Sequence, residues 1–143
     1  MNTRMTNFYM KIAQECARLS RARRLQVGCV VVKKNNIISF SWNGMPTGWD
    51  NNCEYEQSNA HGSELVTRPE VLHAESNAIS KLARSTESAE GAELFVTHSP
   101  CIECAKLIYQ SGINRVYFGV HYRNDHGILF LKQSGIEIIQ TGT

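Results

Sequence analysis

An α/β fold, a sheet held between helices in three layers, is predicted by three features of this sequence. Short apolar runs of strand length alternate with stretches whose apolar residues recur every three or four positions, the pattern of helices laid over a sheet. Near the start, two such runs flank a polar turn, which reads as an antiparallel hairpin. The 143 residues, 42% hydrophobic and 20% charged, suffice for one core and predict one domain over residues 1–143.

Residues 6–19 carry Phe8, Ile12, Cys16 and Leu19 at helical spacing and open the chain as an amphipathic helix. Residues 27–32 form a β-branched run in which Cys29 reads as a small buried hydrophobe. Lys33, Lys34, Asn35 and Asn36 make the turn, and residues 37–42 return as the second strand. After Asn43, Gly44, Met45 and Pro46, the chain lacks periodicity as far as Pro69 and reads as a long loop, functional, disordered or part of an assembly contact. A helix over residues 73–84 follows, with His73 in its first turn, then a strand over 93–97. Pro100 suits the first turn of a further helix that ends near Gly112, whose glycine fits a left-handed cap. Residues 115–120 are a strand, Asn124 and Asp125 cap a helix covering 128–131, and Gly135 leads into a strand over 136–139.

Chemistry concentrates in two short strings, His73-Ala74-Glu75 and Pro100-Cys101-Ile102-Glu103-Cys104. One imidazole and two thiols are three zinc ligands, and a catalytic zinc keeps three protein ligands with its fourth position open, whereas a structural zinc fills all four. Cys101 and Cys104 lie one turn apart on one helix face, and His73 stands at a second helix start. Helix N-termini favour thiolates, so both elements assist metal binding. Glu75, two residues past His73, is placed to carry protons without becoming a ligand. Taken alone, Cys-x-x-Cys also fits half a zinc knuckle or a redox pair, and Glu75 an ordinary first-turn carboxylate. The chain offers no second Cys-x-x-Cys, and a redox pair leaves His73 and Glu75 unexplained.

Composition narrows the setting. No run approaches the roughly 18 apolar residues of a membrane span, and residues 1–7 lack the apolar core of a signal peptide, so the expected location is the cytoplasm. Cys16, Cys29 and Cys53 need no disulfide there. A net charge of +2 does not suggest a polynucleotide-binding surface. Arg18, Arg21, Arg23 and Arg24 cluster within seven residues; spacing alone favours a solvated helix end over a phosphate clamp.

The His-x-Glu and Pro-Cys-x-x-Cys strings are the signature of zinc-dependent nucleobase deaminases. The chain resembles the cytidine deaminase superfamily and, within it, the deoxycytidylate (dCMP) deaminase branch, phage-encoded members included. The likeness runs through Arg24, Val27 and Gly28, through Trp42-Asn43-Gly44-Met45-Pro46-Thr47-Gly48 and His73-Ala74-Glu75-Ser76-Asn77-Ala78-Ile79, and through Ser99 to Ala105 and Ser111-Gly112-Ile113. It implies a cytidine-deaminase-like three-layer fold with a central mixed five-stranded sheet flanked by helices. It also implies hydrolysis of dCMP to dUMP and ammonia, supplying dUMP for thymidylate synthesis, in the cytoplasm of a host if the chain is phage-encoded.

By the same resemblance, Zn2+ is held by His73, Cys101 and Cys104, and Glu75 is catalytic. Asn43 meets the sugar hydroxyl, Ala74 and Ser99 offer backbone groups to the pyrimidine, and Arg24, Tyr122 and Arg123 take the 5′-phosphate and stack on the base. Members of the branch are commonly hexamers activated by dCTP, with Mg2+ on the triphosphate, and inhibited by dTTP, using a Gly-Tyr-Asn-Gly string. Ser41-Trp42-Asn43-Gly44 stands here instead, so Trp42, Gly44 and Met45 are the corresponding effector residues. Some phage relatives bind a second, structural zinc in the long loop; Cys53 and His61 match part of that set, while Ala22 stands near a missing cysteine. Competing readings are deamination of cytidine, a tRNA adenosine or single-stranded DNA, and a non-catalytic zinc assembly domain.

Overall fold

Residues 28–33 form the strand on which the sheet is built, and every side chain from Gly28 to Val32 is buried. Both faces of this strand are covered, which is why its sequence is apolar without alternation. The computed structural model describes residues 2–142. Its elements run α1 (Thr3–Ala17), β1 (Gly28–Lys33), β2 (Asn36–Trp42), β3 (Glu54–Asn59), β4 (Gly62–Thr67), α2 (Ala74–Ala83), β5 (Glu93–His98), α3 (Ile102–Gln110), β6 (Arg115–Val120), α4 (His126–Gln133) and β7 (Glu137–Gln140).

The main sheet is five-stranded and mixed, in the order β2-β1-β5-β6-β7. β1 is antiparallel to both β2 and β5, while β5, β6 and β7 are parallel. On one face, Val30, Val32, Phe95 and Tyr117 meet Tyr9, Met10, Ala13 and Cys16 of α1. On the other, Val31, Leu94, Val96 and Val116 meet Ala74, Ala78, Ala105, Ile108 and Leu131 of α2, α3 and α4. This is the three-layer α/β arrangement with a central mixed five-stranded sheet expected from the sequence.

The first helix departs from its expected face. Phe8 and Leu19 are exposed, and the buried residues are Thr6, Tyr9, Met10, Ala13, Cys16 and Ala17. The reason is a close approach: a Cβ on Gly28 would stand 1.9 Å from Ala13 O. Small residues on α1 and a glycine on β1 let the two backbones meet, so residue size misleads a pattern based on large apolar side chains.

The expected loop between Pro46 and Pro69 contains the antiparallel ribbon β3–β4, with Glu54 opposite Thr67 and Asn59 opposite Gly62. Most of β3 is exposed, so its sequence has no apolar alternation to betray a strand. Other boundaries shift by a residue or two: β7 starts at Glu137, His73 is the N-cap of α2, and Pro100 precedes Cys101, the N-cap of α3. Gly112 has the left-handed conformation expected of it, with φ +88°. Among the described residues no helix is long and apolar enough to cross a membrane.

Candidate active site

The parallel strands β5 and β6 deliver the chain to a cleft at their carboxyl ends, the usual binding edge of such sheets. His98 ends β5, Val120 ends β6, and the loops after them are tied by the bond from Ser99 N to Val120 O, 2.9 Å, and from Tyr122 N to Ser99 Oγ, 2.8 Å. Helices α2 and α3 begin at this edge, so their positive ends meet there. A cavity of about 260 Å³ opens between them.

His73, Cys101 and Cys104 form one cluster, with their ligand atoms within 4.8 Å of one another. His73 Nδ1 lies 3.3 Å from Cys104 Sγ and 3.6 Å from Cys101 Sγ. A tetrahedral zinc with Zn–S of about 2.3 Å and Zn–N of about 2.1 Å has S···N edges of about 3.6 Å, so both N···S distances lie near the spacing of zinc ligands. The Cys101 thiol is pulled down to about 4, chiefly by its hydrogen bond with Cys104, with His73 adding to the effect against burial. The same pairing, followed by burial and the nearby Glu75, pushes the Cys104 thiol up. His73 is raised, chiefly by its hydrogen bond to Cys101. A thiolate, a second sulfur and an imidazole suit zinc, and no other group of this kind occurs among the described residues.

Glu75 follows His73 into the first turn of α2 and lines the cavity while only 5% exposed. Burial raises its carboxyl to about 7, against the opposing pull of a backbone hydrogen bond and His73. A carboxyl poised near neutrality both takes and gives a proton readily.

Also in the cavity wall, Arg24 and Arg123 converge on Tyr122. Arg24 Nη2 donates to Tyr122 Oη at 2.5 Å, and Arg123 Nε donates to the same oxygen at 2.8 Å. The two guanidinium carbons lie 5.9 and 5.1 Å from the ring centroid. Arg123 holds φ +58°, unusual for a side chain with a Cβ. Two like charges gathered at one phenol make a site for an anion.

The remaining predicted residues fall in different places. Ala74 and Ser99 line the cavity, as does Asn43. The Asn43 amide braces the wall, accepting from Val27 N at 2.9 Å and donating to Leu25 O at 2.9 Å. Trp42 packs towards the α1 layer, and Met45 packs with Ala22, Cys53 and Val71. Gly44 pairs with Leu72, the residue before His73. Cys53 and His61 are not brought together: Cys53 is buried at the base of the β3–β4 ribbon and His61 lies in its exposed turn. An intervening strand at about 3.3 Å per residue separates them by far more than a metal spans, so Cys53 and His61 do not hold one ion between them in this structure. Of the Arg cluster, Arg18 is the C-cap of α1, as a helix end requires, while Arg21, Arg23 and Arg24 lie beyond the helix.

Among the wall residues that escaped the sequence reading are His98 and Thr67. His98, whose imidazole burial holds below its usual range, stands edge-on to Tyr122 at 6.0 Å. Thr67 accepts from Arg24 Nη1 at 3.3 Å. His98 looked like the residue after a strand, and Thr67 lay in a segment without periodicity; only the Ser99-Pro100 string beside His98 hinted at its place.

Comparison with known proteins agrees with this geometry. The model of the cytidine and deoxycytidylate deaminase zinc-binding region matches residues 3–120. A deoxycytidylate deaminase of Enterobacteria phage T4 is 34% identical, over 90% of this chain and 86% of its own. The human deoxycytidylate deaminase is 36% identical over 78% of this chain, which spans 62% of the human one. The crystal structure of dCMP deaminase from cyanophage S-TIM5, in complex with dCMP and dUMP, superposes with a TM-score of 0.89, 42% identity and 99% coverage of both chains. The zinc-ligand spacing, the buried carboxyl and these matches lead to one assignment: the chain belongs to the zinc-binding cytidine and deoxycytidylate deaminase family.

Proposed function

We propose that the chain works as one zinc-dependent deaminase domain that hydrolyses dCMP to dUMP and ammonia, supplying dUMP for thymidylate synthesis. One observation carries this reading: a single cavity is lined both by His73, Cys101 and Glu75 and by Arg24, Tyr122 and Arg123. A base and a 5′-phosphate of one nucleotide answer to those two groups. Relatives named deoxycytidylate deaminase support it.

Bound zinc would lower the pKa of water from about 15.7 towards about 7 and so supply a nucleophile at neutral pH. Glu75 takes the water proton and hands it to ring N3 as oxygen adds at C4. It then takes the remaining proton from the C4 hydroxyl and passes it to the leaving amine, so that C4=O forms as the C4–N bond breaks and ammonia departs. The Ser99 N–H is spent on Val120 O, so its carbonyl, together with the Ala74 backbone, is left for the pyrimidine edge. Asn43 meets the sugar hydroxyl, and Arg24, Arg123 and Tyr122 hold the phosphate.

Ammonia release should favour dCMP over cytidine, tRNA and single-stranded DNA. Arg24→Ala should raise KM for dCMP about 30-fold, the size of one charge-assisted contact, with kcat and zinc content near those of the unsubstituted protein. An unchanged KM would reject the phosphate assignment, and zinc-loaded protein inert towards dCMP would reject the function.

The reading extends to a homo-hexamer activated by dCTP with Mg2+ and inhibited by dTTP through Trp42, Gly44 and Met45. Its support is mechanical. Gly44 N donates to Leu72 O at 3.1 Å and Leu72 N to Gly44 O at 2.8 Å, so a shift in this segment reaches His73. The Lys81 ammonium also stands 5.9 Å from the Trp42 ring centroid. Added dCTP and Mg2+ should shift the dCMP saturation curve to lower concentration, and dTTP should reverse the shift; a curve that neither moves removes the extension.

A further inference from the structure

The β3–β4 ribbon is polar and mostly exposed, yet its first residue, Glu54, is fully buried. Burying a carboxylate is costly unless its oxygens are hydrogen-bonded. Here Oε2 accepts from both Arg23 N and Arg24 N at 2.9 Å. Oε1 stands 3.5 Å from Arg23 Nε, an ion-pair distance without an aligned hydrogen bond. The carboxylate therefore grips the backbone on which the Arg24 side chain is mounted.

Across the ladder Glu54 is paired with Thr67, and residues directly opposite in an antiparallel pair project to one face. Thr67 Oγ1 accepts from Arg24 Nη1 at 3.3 Å. One rung thus holds Arg24 at both ends, its amide by Glu54 and its guanidinium by Thr67, with the phenol of Tyr122 on the remaining side. The rung itself is fixed to the domain, since Cys53 packs with Ala22 and Val71 and Arg68 N donates to Cys53 O at 2.8 Å. An isolated two-stranded ribbon is only marginally stable, so these anchors hold it in place.

We propose that Glu54 is a positioning residue for phosphate recognition, acting through the backbone of Arg23 and Arg24 to set the Arg24 guanidinium beside Tyr122 in the cavity wall. The inference rests on the dCMP reading of that cavity. A long, flexible side chain binds an anion well only when its stem is fixed beforehand, because the ordering cost is then met in the fold and not at each binding event. Glu54 supplies that fixation without touching substrate.

Three substitutions test it. Glu54→Ala removes the acceptor, Glu54→Met removes it while filling the space, and Glu54→Gln retains one carbonyl oxygen for the two amides. The measurements are KM and kcat for dCMP and the inhibition constants of dUMP and phosphate-free deoxyuridine, each on protein of verified zinc content. Glu54→Ala and Glu54→Met should raise KM for dCMP and the inhibition constant of dUMP about tenfold or more, with kcat within about threefold and deoxyuridine inhibition unchanged. Glu54→Gln should restore near-normal values. If Glu54→Ala does not fold, Glu54→Met carries the test. Equal weakening of dUMP and deoxyuridine, or wild-type dUMP inhibition in Glu54→Met, overturns the inference while leaving dCMP hydrolysis standing. Unsubstituted protein that does not turn over dCMP fails the functional reading instead.

Discussion

Glu75→Gln is expected to lower kcat for dCMP by about a thousandfold, within the range that positioned acid–base groups contribute, while zinc content stays that of the unsubstituted protein. Glu75 is buried beside the His73, Cys101 and Cys104 cluster and is not one of its three members. The amide has the volume of the carboxyl it replaces, so the cavity keeps its shape and the melting temperature should hold. What disappears is a group near pKa 7 able to accept a proton and return it. Full turnover by this variant would exclude Glu75 as the proton carrier, and loss of zinc would mean that it serves the metal directly.

Metal analysis should give one zinc per chain, and Cys104→Ala should reduce it to none. Activity should then fall on the order of ten-thousandfold or more, because water of pKa about 15.7 supplies almost no hydroxide at neutral pH. Cys104 is 2% exposed, so the truncation also opens a small cavity and removes the stabilisation that a bound ligand gives the folded state. The melting temperature should drop accordingly. His61→Ala should retain one zinc per chain, because His61 lies in the ribbon turn away from the cluster. Two zinc ions per chain, with one lost in His61→Ala, would reverse the assignment.

Much of the layer order was visible in the sequence because both faces of the sheet are covered. The unbroken apolar run through Val30, Val31 and Val32 could only be a buried strand, and the helical spacing after His73 and Cys101 placed both ligand strings at helix starts. Legibility failed where the signal was not apolar. The β3–β4 ribbon shows polar residues on both faces, so neither its strands nor the Glu54–Thr67 rung left a periodic trace. The contact face of α1 was missed for a related reason: close backbone approach at Gly28 selects small residues such as Ala13. Arg24 was legible as a charge but not as a placed one, since the groups that fix it come from residues 54, 67 and 122.

The turn of the β3–β4 ribbon lies at the opposite end from the rung that holds Arg24. Asn59, Ala60, His61 and Gly62 are all exposed there, with φ +119° at Gly62. Exposed loop tips of this kind tolerate added chain better than buried segments do. Lineages of this enzyme are therefore free to lengthen the tip, and a fluorophore or affinity tag grafted at Ala60 would ride outside the catalytic machinery.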